Sequence, residues 1–156
     1  MKRIALIALL AFIVSACNQQ PKETVVKEIE KEIVMGEPAT DGVFIHISSG
    51  YDDPHRALMP LKMATLMAED KDVLVYMDIE AVKLLVKDAR DLSHANFESA
   101  HTYIRMLLEK NVGVYACPTC LEAAGYQPED LMEGIQLAQK DKFFSFTKGR
   151  ILTLDY

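Results

Sequence analysis

Val112-Gly113-Val114-Tyr115-Ala116-Cys117-Pro118-Thr119-Cys120-Leu121-Glu122-Ala123-Ala124-Gly125 carries the fold and the chemistry of this chain together. Val112 to Ala116 is a short apolar run of the kind that forms a buried strand. Cys117 ends it and opens a helix, because Pro118 needs no amide hydrogen and suits a first helical turn. Leu121 to Ala124 continue that helix, and Gly125 is the residue type that stops one. A strand feeding directly into a helix is the repeating unit of α/β architecture. In open sheets of that class, reaction sites collect beyond the carboxyl ends of the strands, which is where Cys117 stands.

The same alternation extends in both directions. Val43-Phe44-Ile45-His46-Ile47 reads as a first buried strand ended by Ser48-Ser49-Gly50. Asp53 before Pro54 supplies an N-cap and a first-turn proline, and Leu58, Leu61, Leu66 and Met67 keep helical spacing to about Glu69. Pro60 should kink this helix or move its start. Val73 to Met77 is a second β-rich run closed by Asp78, and Val82, Leu84 and Val86 alternate as a short strand does. Phe97, Ala100, Ile104, Leu107 and Leu108 mark one face of a long helix ending near Asn111. Pro128 with Glu129 and Asp130 starts another helix, and Ile151 to Leu154 reads as a terminal strand. Continuous apolar strands between helices predict a three-layer α/β/α sandwich over residues 41–156, with a mainly parallel sheet of about five strands.

Residues 1–16 have the grammar of a signal peptide: Lys2 and Arg3, an apolar run from Ile4 to Val14, then Ser15 and Ala16. The run is too short to span a bilayer as a transmembrane helix. Val14-Ser15-Ala16-Cys17 resembles the lipobox of bacterial lipoproteins, which implies that Cys17 is lipidated and becomes the first mature residue. Asn18 after it implies the outer membrane more than the inner. The expected address is the cell envelope, lipid-anchored and facing the periplasm. Residues 17–40, rich in Lys and Glu, read as a charged tether; Val26, Ile29 and Ile33 leave open a helical stub that helps subunits associate.

The whole chain carries 17 basic and 23 acidic residues, a formal charge of -6, and loss of Lys2 and Arg3 with the signal peptide makes it -8. An acidic surface argues against nucleic acid and against an electrostatic hold on anionic lipid, so acyl chains must supply the membrane attachment.

Cys117 meets unpaired backbone amides and the positive end of a helix dipole, both of which favour thiolate. Cys120 lies one turn on, close enough to pair with it as a disulfide. A loop that small gains little stability from closure, so a purely structural staple explains the pair poorly. Zinc needs about four ligands, and His46, His55, His94 and His101 offer no zinc spacing, so no metal and no cofactor are expected. His101 reads as a hydrogen-bonded core residue and Met59, Met63 and Met67 as packing. Ser48, Ser49, Gly50 and His55 could line the same end of the sheet as the cysteines. A thioredoxin-type protein carries its pair after an early strand, usually behind a tryptophan; here the pair comes late and the chain has no tryptophan.

The domain resembles the DsrE family of small α/β proteins of sulfur relay. The resemblance rests on the Val43 to Ile47 strand with Asp53-Pro54, on Val73-Leu74-Val75-Tyr76-Met77-Asp78, on Val114 to Gly125, and on Ile151-Leu152-Thr153-Leu154-Asp155-Tyr156. It implies that Cys117 accepts sulfur as a persulfide from a donor protein and passes it to an acceptor, that Cys120 is an additional, resolving thiol, and that subunits assemble as trimers or hexamers. Family relay proteins work in the cytoplasm, so an envelope address departs from the pattern. Two other readings stay open: a thiol-disulfide oxidoreductase, and a non-catalytic binding or assembly module.

Overall fold

The computed structural model describes residues 39–156. Cys17, the signal peptide and the tether up to residue 38, including Val26, Ile29 and Ile33, lie outside the described residues. Among the described residues, no helix is long and apolar enough to cross a membrane.

Five strands, all parallel, form one sheet in the order β4-β3-β2-β1-β5: β1 Gly42–Ile47, β2 Asp72–Met77, β3 Gly113–Ala116, β4 Gln136–Leu137 and β5 Ile151–Asp155. Helix α1, Pro54–Met67, links β1 to β2, and α2, Ala100–Glu109, precedes β3. Successive strand residues point to opposite faces. One face carries Val43, Ile45, Ile47, Val73, Val75, Met77 and Val114, which pack with Leu58 and Leu61 of α1 and Ile104 and Leu107 of α2 into one buried cluster. The opposite face carries Phe44, His46 and Tyr76, covered by Phe143 of the short helix α4, Lys142–Ser145, whose ring meets Phe44 at 5.2 Å and Tyr76 at 5.1 Å. The second helical layer is thus thin, and the residues beneath it are half-buried.

The caps explain where the helices begin. The Asp53 carboxylate accepts from the Arg56 amide at 3.1 Å and Pro54 takes the first position, so α1 starts where the sequence indicates and runs through Pro60 without moving its start. Its buried stripe is Ala57, Leu58, Leu61 and Ala64; Leu66, expected on that stripe, faces solvent, and Met59, Met63 and Met67 are half-buried. Helix α2 begins at Ala100 rather than at Phe97, because the Ser99 hydroxyl accepts from the Thr102 amide at 3.3 Å and fixes the start there. Asn111 follows its end at φ 60°, the left-handed position that Asn tolerates.

Two expected elements take another form. Val82 to Val86 is not a strand: Ala81–Leu84 is a 3₁₀ turn, and Val86 makes only one antiparallel bridge, to Leu131. Ala81, Val82, Leu84 and Leu85 are all fully buried and Lys83 between them is half-exposed, so the apparent alternation is that of a buried turn and not of a strand. Pro128–Asp130 is likewise a single 3₁₀ turn rather than a helix, closed by the Gln127 amide donating to Asp130 at 2.8 Å.

Candidate functional site

The carboxyl ends of four adjacent strands place a row of functional side chains along one edge of the sheet. In the parallel register His46 pairs with Asp155 on one side and Tyr76 on the other, while Tyr76 pairs with Tyr115, two residues before Cys117. The row therefore runs Asp155, His46, Tyr76 and Asp78, Cys117. Alternation along β3 puts Cys117 on the face of Tyr115 and Tyr76, the thinly covered one.

Cys117 is anchored by its amide, which donates to the Met77 carbonyl at 2.9 Å, and its sulfur caps helix α3, Pro118–Ala123, by accepting from the Cys120 amide at 3.3 Å. The expected helix start at the first cysteine is present, and Gly125 ends the segment at φ 86°. Burial alone would raise the Cys117 pKa, but hydrogen bonds from the Cys120 side chain, the Tyr76 hydroxyl and the Cys120 and Thr119 amides outweigh it and hold the thiol below its ordinary value. Helix α3 has six residues, so these specific donors, more than an extended dipole, favour the thiolate. Cys120 moves the other way. Burial and the neighbouring Cys117 raise its pKa, against the Ile79 backbone amide, which favours its thiolate. The two half-buried thiols are thus an acidic one and a reluctant one, not joined as a disulfide.

Tyr76 is held from both sides. His46 stacks on it with ring centres 5.4 Å apart, and Phe143 meets it edge-on. Burial, followed by its bond to Cys117, pushes the phenol pKa up, so it serves as a proton donor to sulfur. His46 is itself clamped, Nδ1 lying 2.7 Å from Asp155 and Nε2 lying 2.9 Å from Asp78. The second separation is that of an ion pair, but its direction is not that of a hydrogen bond, which leaves Nε2 and Asp78 Oδ1 without aligned partners. From the sequence alone, His46 and Tyr76 are strand residues and Asp78 closes a strand. The signal was present as polar groups at alternating positions in two otherwise apolar runs.

The loop after β1 reaches the thiols through an intermediary. The Ser48 carbonyl accepts from the amides of Glu80 and Ala81 at 3.1 and 3.3 Å, and its hydroxyl donates to the Tyr156 carbonyl at 3.1 Å. Gly50 is buried so closely against the turn that a Cβ there would lie 2.6 Å from the Glu80 carbonyl oxygen. Ser49, half-buried, belongs to the same loop. Held by this loop, Ile79 sits at φ 45°, a conformation that costs a β-branched residue about 1–3 kcal/mol. His55 is placed elsewhere: exposed at the start of α1, its ring meets Phe97 at 5.3 Å and His94 at 6.0 Å. His101 is not the satisfied core residue expected. Its amide donates to Asp91 at 3.0 Å while its buried Nε2 has no partner.

An open cleft of about 280 Å³ at Cys120 is lined by Ile79, Glu80, Lys83, Cys120, Ala123 and Ala124. Other cavities open at the amino-terminal ends of the strands, around Lys110 and Gly113 and around Gly42 and Leu152, away from the cysteines. Among the described residues, no three His, Cys, Asp or Glu side chains are grouped to hold a metal ion.

Residues 41–148 match the model of the DsrE/DsrF-like family. Among solved structures, the chain is similar to the ychN protein from E. coli, with a TM-score of 0.59 and 18% identity over 73% of this chain and 99% of that one. It is also similar to MTH1491 from Methanobacterium thermoautotrophicum, a protein of unknown function, with a TM-score of 0.54 and 20% identity over 72% of this chain and 98% of that one. At such identities these two likenesses speak for the fold alone. No curated protein matches the chain.

Proposed function

The chain belongs to the DsrE/DsrF-like family, a family of sulfur-relay type, and from that premise we propose that it is a sulfur carrier in which Cys117 bears the cargo as a persulfide and Cys120 is the resolving thiol. The observation that carries this reading is the asymmetry of the pair: Cys117 Sγ caps α3 by accepting from the Cys120 amide at 3.3 Å and its pKa is lowered, whereas burial raises that of Cys120. Loading needs a thiolate nucleophile. The Cys117 thiolate attacks the outer sulfur of a donor persulfide, that sulfur's bond to the donor cysteine breaks, and the donor leaves as a thiol carrying the persulfide proton. The new Cys117 persulfide keeps the Tyr76 hydroxyl and the α3 amides as donors. An acceptor thiolate then takes the outer sulfur by the same displacement, returning Cys117 as thiolate.

Cys120 defines the alternative exit. Its thiolate can attack the inner sulfur of Cys117, forming the Cys117–Cys120 disulfide and releasing hydrosulfide; a dithiol reductant then restores the pair. Its raised pKa makes that attack slow and preserves the cargo until an acceptor arrives. The same asymmetry also suits thiol-disulfide exchange, which makes an oxidoreductase the second reading.

We propose further that the domain is displayed from the envelope membrane by a lipid on Cys17, facing the periplasm, and that it works as a homo-oligomer. The functional test is loading of single-cysteine variants with a persulfide donor. Cys120→Ser should take up sulfur and Cys117→Ser should not; failure of both, with wild-type disulfide exchange intact, would replace the carrier by the oxidoreductase.

A further inference from the structure

Ile79 combines features that do not ordinarily occur together. It is 60% exposed and β-branched, and it is held at φ 45°. Glycine or asparagine would occupy this backbone at less cost, so nothing in the fold itself calls for isoleucine. The turn cannot relax, because the Asp78 amide donates to Ile47 at 3.0 Å, those of Glu80 and Ala81 donate to Ser48, and Gly50 closes from beneath. Ile79 lines, together with Ala123 and Ala124, the cleft that Cys120 also lines.

We infer that Ile79 is a docking contact for a protein partner, and that the cleft receives an apolar side chain adjacent to the partner's cysteine as that cysteine meets Cys117. The inference rests on the reading that Cys117 exchanges sulfur with another protein. Two observations select this occupant over a small, charged thiol. The cleft is open, about 280 Å³ in volume, and four of its six lining residues are the uncharged Ile79, Cys120, Ala123 and Ala124. The charges at its rim, Glu80 and Lys83, satisfy one another at 2.7 and 2.9 Å and leave no free charge to hold the carboxylates of a small thiol such as glutathione. An apolar neighbour of the incoming cysteine would bury the exposed Ile79 surface, whereas a polar one would lose water there without a partner.

The test measures simple disulfide exchange, which needs no persulfide. The reduced full chain is mixed with three probes activated by the same nitrothiobenzoate leaving group: Ala-Leu-Cys-Leu-Ala, Ala-Ser-Cys-Ser-Ala and glutathione. Cys117 thiolate attacks the probe's cysteine sulfur, a mixed disulfide forms, and the nitrothiobenzoate leaves as a coloured thiolate. The leucine peptide should react about tenfold faster than the serine peptide, in keeping with burial of one aliphatic side chain. In Ile79→Gly and Ile79→Asn that preference should vanish while the serine peptide and glutathione keep their wild-type rates. Thermal melts of both variants should stay at or above wild type, since each relieves the backbone. Absence of the preference in wild type, or its survival in both variants, would overturn the inference. An equal loss with all three probes would overturn it too, because Ile79 would then act on the thiols and not on the partner. Sulfur loading of the same proteins is read separately, so the carrier reading and the docking contact can fail independently.

Discussion

Tyr76, on the second strand, shares a face of the sheet with Cys117 at the end of the third, and its hydroxyl favours the Cys117 thiolate. Parallel pairing brings the two strand ends level, and the stacked His46 keeps the phenol in place. This juxtaposition links the sheet to the reactivity of the thiol.

Its first consequence is a pH profile. Alkylation of the reduced protein by iodoacetamide follows the thiolate, so wild-type Cys117 should titrate below an ordinary thiol and Cys120 above. Tyr76→Phe and Cys120→Ala each remove a donor to the thiolate and should move the Cys117 midpoint upward, slowing alkylation at neutral pH about three- to tenfold. A midpoint that stays in place in both variants would remove these bonds as the cause.

His46 should act through Tyr76. His46→Ala removes the stacked ring and leaves the Asp78 and Asp155 carboxylates without their shared partner. Alkylation of Cys117 should slow in the otherwise wild-type protein but change little in a Tyr76→Phe background. Equal slowing in both backgrounds, in a double-mutant cycle, would show that His46 acts independently.

Gly50 has a steric duty. A Cβ there meets the Glu80 carbonyl oxygen at 2.6 Å, and backbone cannot rotate away as a side chain can. Gly50→Ala should cost about 1–3 kcal/mol in urea denaturation and disturb the turn that carries Ile79. Gly125→Ala, where a Cβ meets nothing but φ is 86°, should show the cost of backbone strain alone and leave that turn intact.

The membrane proposal is tested by Cys17→Ala. That substitution should release the chain from the membrane fraction or leave it unprocessed, and a processed, fully membrane-bound variant would contradict lipidation. Light scattering on detergent-released wild-type protein should give a trimer or hexamer; a monomer at micromolar concentration would contradict self-association.

The parts of the fold legible in the sequence are those where one local signal dominates. β1, β2, β3 and β5 are apolar runs between breakers, and α1 and α3 each announce themselves by a capping residue before a proline. The fifth strand lies elsewhere than the alternation of Val82, Leu84 and Val86 indicates. Ala81, Val82, Leu84 and Leu85 are all buried around the half-exposed Lys83, which mimics strand alternation in a turn, whereas the real fifth strand, Gln136–Leu137, is two residues long and is held by pairing with Tyr115 and Ala116. Helix α4 carries little local signal, and Phe143 gains its meaning only from contact with Phe44 and Tyr76. For the site, Cys117 and Cys120 could be read from spacing at a strand-to-helix junction. Tyr76, His46 and Asp155 could not, because their meeting depends on the register of four strands distant in sequence. His55 shows the converse: near the expected end of the sheet in sequence, it is drawn to Phe97 and His94 instead.

The central claim is that Cys117 holds the cargo, and peptide mapping of the wild-type protein tests it most directly. The reduced chain is loaded with a persulfide donor, trapped with an alkylating agent that keeps the sulfur–sulfur bond, digested and fragmented between the two cysteines by tandem mass spectrometry. The account predicts the added sulfur on Cys117, with Cys120 carrying only the alkyl group. Added sulfur on Cys120, with Cys117 merely alkylated, would contradict it.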